Sequence, residues 1–166
     1  ISDTAQIVKI AHAFGATVEG EIGHVGEAAS EDNSSSDLYT TPDEAEEYIG
    51  KTGVDALAVA IGTAHGNYKT APKLDLERLC SIHKRVSTPL VLHGGSGLSD
   101  DDFRNTVKNG ISKINIFTDI CSAGAEAMQY GVKNNFPYLD IRSLRVEKIK
   151  ETVKEKIKLF GSSGKA

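Results

Sequence analysis

Residues 56–66 read ALAVAIGTAHG, and this stretch decides the fold. The apolar run 56–61 is unbroken, which fits a strand buried on both faces of a parallel sheet. Gly62 ends it, and a loop reaching Pro72 leads into a helix expected over 75–86. The pattern then repeats. Residues 89–92 (PLVL) form another apolar strand, followed by HGGSG at 93–97 and a helix capped by Ser99, with Asp100, Asp101 and Asp102 in its first turn.

The same rhythm extends outward in both directions. Residues 17–22 read as a strand, followed by a polar loop of Gly, Ser, Asp and Asn over 23–41. Thr41-Pro42-Asp43-Glu44 is a helix start: a Thr cap, Pro at the first helical position, then acids facing the dipole. Ala45, Tyr48 and Ile49 supply that helix's apolar face. Nearer the N-terminus, residues 1–14 predict a helix capped by Ser2 or Asp3 and closed by Gly15, with Ile7, Ile10, Ala11 and Phe14 on one face. Toward the C-terminus come a strand at 113–117, a helix from Asp119 to about Asn134, and a helical tail over 143–160. The tail places Val146, Ile149, Val153, Ile157 and Phe160 on one side.

Strands and helices alternating in this way imply right-handed βαβ units and a parallel sheet. Four such units are half of a (β/α)8 barrel, so residues 1–166 are expected as one α/β domain supplying the last four units and the C-terminal helices. Half a barrel has two open strand edges, so a first half or a partner is expected to cover them. The opening at a helix start, without Met, points to a cut from something longer. The loop 28–37 (AASEDNSSSD) is expected to be a mobile flap over a site.

Composition narrows the function. With 19 Lys and Arg against 23 Asp and Glu, the net charge is −4, which offers no basic stripe for nucleic acid and no polybasic membrane anchor. No apolar run approaches spanning length, and nothing at the N-terminus resembles a signal peptide. Cys80 and Cys121 lack metal-type spacing and are expected as buried or idle thiols of a cytoplasmic protein.

The residues able to do chemistry follow the strand C-termini, where parallel α/β proteins bind ligands. Glu19 and Glu21 share one face of their strand, a costly place for carboxylates unless something pairs them. They suit either an ion pair with a cation from the missing half or, for Glu21 above all, a place near a metal or a substrate hydroxyl. His65 and His93 stand just beyond neighbouring parallel strands, so their imidazoles can converge on one zinc ion. Taken singly, each would more often be a structural histidine. His12 and His83 lie within helices and are expected as solvent or packing residues, and His24 is undecided. Gly94-Gly95-Ser96-Gly97 offers unhindered N–H groups and a hydroxyl near a helix start, a cradle for phosphate. Asn115-Ile116-Phe117-Thr118 ends the next strand with two further polar side chains.

VEGEIG, GVDALAVAIGTAHGNYK, PLVLHGGSGL, KINIFTD and the closing FGSSGKA, in this order, resemble the class II fructose-bisphosphate and tagatose-bisphosphate aldolases over essentially the whole chain. The resemblance implies a TIM barrel and a zinc-dependent aldol cleavage of a ketose 1,6-bisphosphate into triose phosphates, as in glycolysis. It implies that His65 and His93 bind the zinc and that Glu21 is a carboxylate near it. It further implies that Gly66, Gly94, Gly95, Ser96, Asn115 and Thr118, with Ile116 and Phe117 between them, hold the substrate phosphate. A monovalent cation (Na+ or K+) and a homodimer or homotetramer would accompany this. The family's Asp-His pair, which supplies the third zinc ligand and the proton-transfer acid, has no counterpart here.

Three other readings remain open. A Schiff-base aldolase is disfavoured, because Lys113 is expected to open its strand and face away from the ligands, and Lys69 lies in a loop. A metal hydrolase is disfavoured by the GGSG cradle. A non-catalytic half-barrel that needs a partner is consistent with the missing Asp-His pair. Fructose bisphosphate is preferred to tagatose bisphosphate by a narrow margin. Arg142 is a weak candidate for a neighbour's phosphate.

Overall fold

The computed structural model describes residues 1–24, 26–27, 38–66 and 72–165, with the side chains of residues 26, 27 and 65 outside the described set. The proposed flap at 28–37 and Lys69 therefore lie outside the described residues. In chain order the elements are α1 (Ser2–Ala13), β1 (Glu19–Ile22), β2 (Gly26–Glu27), α2 (Pro42–Thr52), β3 (Ala56–Val59), β4 (Ala64–His65), α3 (Leu76–Arg85), β5 (Leu90–Leu92), α4 (Asp100–Lys108), β6 (Ile111–Ile114), α5 (Thr118–Lys133) and α6 (Tyr138–Leu159). They divide into two compact units, Ile1–Asn115 and Ile116–Ala166.

In the first unit, β1, β3, β5 and β6 form a parallel sheet in that order. Each parallel step needs a crossover, and α2, α3 and α4 supply the three. Leu57, Val59 and Ile61 from the apolar run, Leu90, Val91 and Leu92 from β5, and Leu79, Ile82 and Phe103 from the helices are fully buried. The α/β reading therefore holds, as do both N-caps proposed for α2 and α4. Thr41 pairs reciprocally with Glu44, and Ser99 with Asp102, as capping boxes.

Three expectations shift. No side chain caps α1, whose N-cap is Ile1. Its packed residue is Val8, while Ile7, Ile10 and Phe14 remain exposed. Val8 is the side chain next to Gly53 at the end of α2. β6 begins at Ile111, two residues early, for reasons given below. α6 begins at Tyr138 rather than near 143, because Pro137, with φ −57°, opens the helix. Ser143 then lies inside it, its hydroxyl donating to the Leu139 carbonyl.

Thr40 closes the top of the sheet. Its buried hydroxyl donates to the Ile22 carbonyl at 2.8 Å and accepts from the Ala60 N–H at 2.9 Å, continuing the β1–β3 ladder where the strands end. Thr40→Val keeps the shape and leaves both backbone groups without that partner. We expect a loss of about 1–3 kcal/mol, read as a lower urea midpoint at unchanged m value.

Asp55, just before β3, accepts from His12 Nε2 at 2.9 Å and from the Val18 N–H at 2.7 Å. The His12 bond first, and the Val18 bond second, hold its carboxyl below the ordinary range. A folded-state pKa below the unfolded one stabilises the fold above the ordinary value of about 4, and this contribution disappears as pH falls through the folded value. Asp55→Asn should therefore flatten the stability profile on the acid side. Superimposable acid unfolding curves for the variant and the parent would remove this link.

In the second unit, α5 presents Ala123, Gly124, Ala127 and Gly131 as its buried residues. A Cβ on Gly131 would lie 2.7 Å from Ile141, and one on Gly124 would lie 3.0 Å from Ile149, so small residues let α6 pack closely. Lys156 of α6 pairs with Asp119 in the first turn of α5 at 2.7 Å. Ile116, Phe117 and Thr118 belong to this unit; Phe117 is exposed and precedes Thr118, the first residue of α5.

Candidate active site

The sheet register determines which side chains meet. Glu21 lies beside Ala58, Ala58 beside Val91, and Val91 beside Lys113. Laterally paired residues of a parallel sheet point to the same face, so this face carries Glu19 and Glu21 at one edge and Lys113 at the other. Ala56 and Ala58 between them are small, which leaves room for long side chains to reach across.

His93 follows β5 directly and lies between the two glutamates. Its Nε2 is 3.0 Å from Glu19 Oε1, and its Nδ1 is 3.2 Å from Glu21 Oε1. Glu19 Oε2 accepts from Lys113 Nζ at 2.9 Å, and the same ammonium donates to Asn115 Oδ1 at 2.7 Å. Burial works to raise the Glu19 pKa, but the bonds and charges from Lys113 and His93 together outweigh it and hold the carboxyl below its ordinary range.

Lys113 corrects the sequence reading in two ways. It does not open its strand, and its ammonium meets Glu19 and Asn115 rather than pointing away. The cause is an irregularity: Leu90 pairs with Ile111 while Val91 pairs with Lys113, so Ser112 is an extra residue in β6. Such a bulge re-aims the side chains beyond it. The cation that pairs with Glu19 thus comes from this chain's own last strand.

The glycine loop is fixed from below. Gly94 has φ +66°, and a Cβ there would lie 2.5 Å from the Ala64 carbonyl oxygen, so only glycine lets this loop lie against β4. Gly95 accepts from the Leu98 N–H at 3.3 Å, making a turn that delivers the chain to Ser99 and the N-terminus of α4. Ser96 is buried. Asn115 extends the β5–β6 ladder by donating its N–H to the Leu92 carbonyl at 3.0 Å. A small parallel sheet not foreseen from the sequence pairs Gly26 with Ala64 and Glu27 with His65. Gly66 follows it with φ +95°.

Of the residues expected at the site, Glu21, His93 and Asn115 come together through Glu19 and Lys113. Gly94 and Gly95 adjoin them. Among the described residues no group of three His, Cys, Asp or Glu side chains is arranged to hold a metal ion. The donors at His93, an imidazole flanked by carboxylates, nevertheless suit zinc in kind. The His65 side chain lies outside the described residues, but its backbone is held beside the His93 loop by the Gly94–Ala64 contact. His12 pairs with Asp55, and His83 is exposed against Gly110. His24 donates its N–H to the Leu38 carbonyl at 2.9 Å. Both cysteines are free thiols, Cys121 exposed and Cys80 partly so.

A parallel sheet with a histidine and a glycine loop at its C-terminal end defines a barrel-type α/β protein with a candidate ligand site. The family model for fructose-bisphosphate aldolase class-II matches residues 1–165, and the chain belongs to that family. It is 45% identical over 164 residues to the YdjI protein of Escherichia coli (strain K12), covering 98% of this chain and 58% of that one. The solved structure of the YdjI aldolase from E. coli K12 matches with a TM-score of 0.81 and 39% identity, over 98% of this chain and 55% of that one. A putative fructose-1,6-bisphosphate aldolase from Coccidioides immitis matches with a TM-score of 0.84 and 29% identity, over 98% and 58% respectively. The chain thus spans a little over half the length of these relatives. No described helix is long and apolar enough to cross a membrane.

Proposed function

We propose that this chain supplies the C-terminal half of a zinc-dependent aldolase that cleaves fructose 1,6-bisphosphate to dihydroxyacetone phosphate and glyceraldehyde 3-phosphate. The observation supporting this is His93 between Glu19 and Glu21, beside a glycine loop at the C-terminal end of the sheet. His93 and His65 would hold the zinc, with the remaining ligand and the acid/base group from outside this chain. Zinc supplies Lewis-acid polarisation of the ketose carbonyl. Glu21 would be a carboxylate near the zinc. The N–H groups and hydroxyl of Gly94–Gly97, with Gly66 and Asn115, are assigned to the substrate phosphate, where they orient the three-carbon half and can accommodate a monovalent cation. A homodimer or homotetramer in the cytoplasm goes with this reading.

Lys113 does not suit Schiff-base chemistry. That chemistry needs a free amine in a desolvated pocket, and Lys113 is half exposed and engaged by Glu19 and Asn115. The test is an assay of this polypeptide on fructose and tagatose 1,6-bisphosphates before and after EDTA, with zinc restored. Zinc-restorable cleavage supports the proposal, and the ratio of rates decides the sugar. Phosphate-ester hydrolysis without aldol cleavage, or covalent trapping of substrate on a lysine by borohydride, would overturn it.

A further inference from the structure

The assignment of His93 to a metal leaves open what sets its orientation. The imidazole has a carboxylate at each ring nitrogen, and the two carboxylates are held differently. Glu19 is the more buried, with its side chain 29% exposed against 43% for Glu21. Its second oxygen is bound by Lys113, whose Nζ is in turn fixed by Asn115. Three strands therefore contribute to one chain of contacts: Asn115 and Lys113 from the β6 end, Glu19 from β1, and His93 from the β5 end. The chain stops at Nε2. Glu21, by contrast, lies toward the open side and can turn to water.

We propose that Glu19, clamped by Lys113, is a positioning residue that keeps the proton of His93 on Nε2 and so presents the Nδ1 lone pair on the side where Glu21 lies. An imidazole has one donor and one acceptor nitrogen when neutral, and a fixed acceptor at Nε2 selects that tautomer. A ligating histidine is ordinarily oriented in this way through its other nitrogen. Neither Glu19 nor Lys113 then touches substrate. The Ser112 bulge serves the same end, because in a regular register Ser112 would pair with Val91, and Lys113, paired with Leu92, would point to the opposite face.

This inference rests on the reading of His93 as a metal-facing residue, and the test separates the two. Long-range 1H–15N correlation spectra of the metal-free chain read the His93 tautomer directly. Competition with a chromophoric chelator reads its affinity for zinc ion. The variants are Glu19→Gln, Lys113→Met and Lys113→Arg. The parent should show the proton on Nε2. Glu19→Gln should populate both tautomers and weaken zinc binding roughly 10–100-fold. Lys113→Met should move both readings in the same direction, and Lys113→Arg should restore them. Because Lys113 is half exposed, its variants carry the test even if Glu19→Gln does not fold. If zinc binding and tautomer are unchanged in folded Glu19→Gln and Lys113→Met, the positioning role is overturned and the metal reading stands. A parent that binds no zinc, but whose tautomer changes in Glu19→Gln, supports the positioning role and removes the metal reading.

Discussion

Gly94→Ala should cost this chain about 2–5 kcal/mol of stability. Two effects combine. The residue sits at φ +66°, a conformation that costs an L-residue with a Cβ about 1–2 kcal/mol. The new Cβ would also lie 2.5 Å from the Ala64 carbonyl oxygen and 2.7 Å from its carbon, both backbone atoms of β4 that cannot rotate away. Gly15→Ala offers a useful contrast. There φ is +71° and a Cβ meets nothing within 4 Å. We expect Gly15→Ala to cost only the backbone strain, so chemical denaturation should rank Gly94→Ala clearly below it. Equal midpoints for the two would mean that the β5 loop does not depend on its contact with β4. Since that contact also places His93 beside the β4 backbone, Gly94→Ala should weaken zinc binding while the protein is still folded.

Why some of this was legible in the sequence and some was not can be traced to particular residues. The buried parallel sheet was visible because 56–61 and 89–92 are apolar without alternation, and helix starts were visible because Thr41-Pro42 and Ser99 carry their own caps. Glu19 and Glu21 were recognisable as a shared face from spacing alone. Lys113 was misread because its strand was expected to begin there, whereas pairing already starts at Ile111. The pairing of Glu27 with His65 joins two loop segments through the backbone, which no side-chain pattern announces. The exposed Ile7, Ile10 and Phe14 show the same limit from the other side. Periodicity identified an apolar face, but the residue that this helix buries is Val8, which lies off it.

Replacing His93 by alanine should reduce zinc-restored aldol cleavage at least 10³-fold, to the level of the EDTA-treated protein. The reasoning is energetic. Charge stabilisation at a carbonyl by a Lewis acid is worth several kcal/mol, and each 1.4 kcal/mol of barrier is a factor of ten in rate. A side chain that holds the metal therefore controls nearly all of that gain, and its loss should appear in kcat. Asn115→Ala should behave differently. In the proposed site it holds phosphate, and it anchors Lys113, so the variant should raise KM by about tenfold with a smaller fall in kcat, since weaker uniform binding shows mainly in KM. The two variants thus divide the site into a metal side and a phosphate side that a general loss of structure could not reproduce. Circular dichroism and the denaturation midpoint of each variant exclude unfolding as the cause. If His93→Ala kept a tenth or more of the parent's zinc-dependent rate, the imidazole between Glu19 and Glu21 would be a structural ion-pair partner, and the metal would have to be sought elsewhere on the sheet.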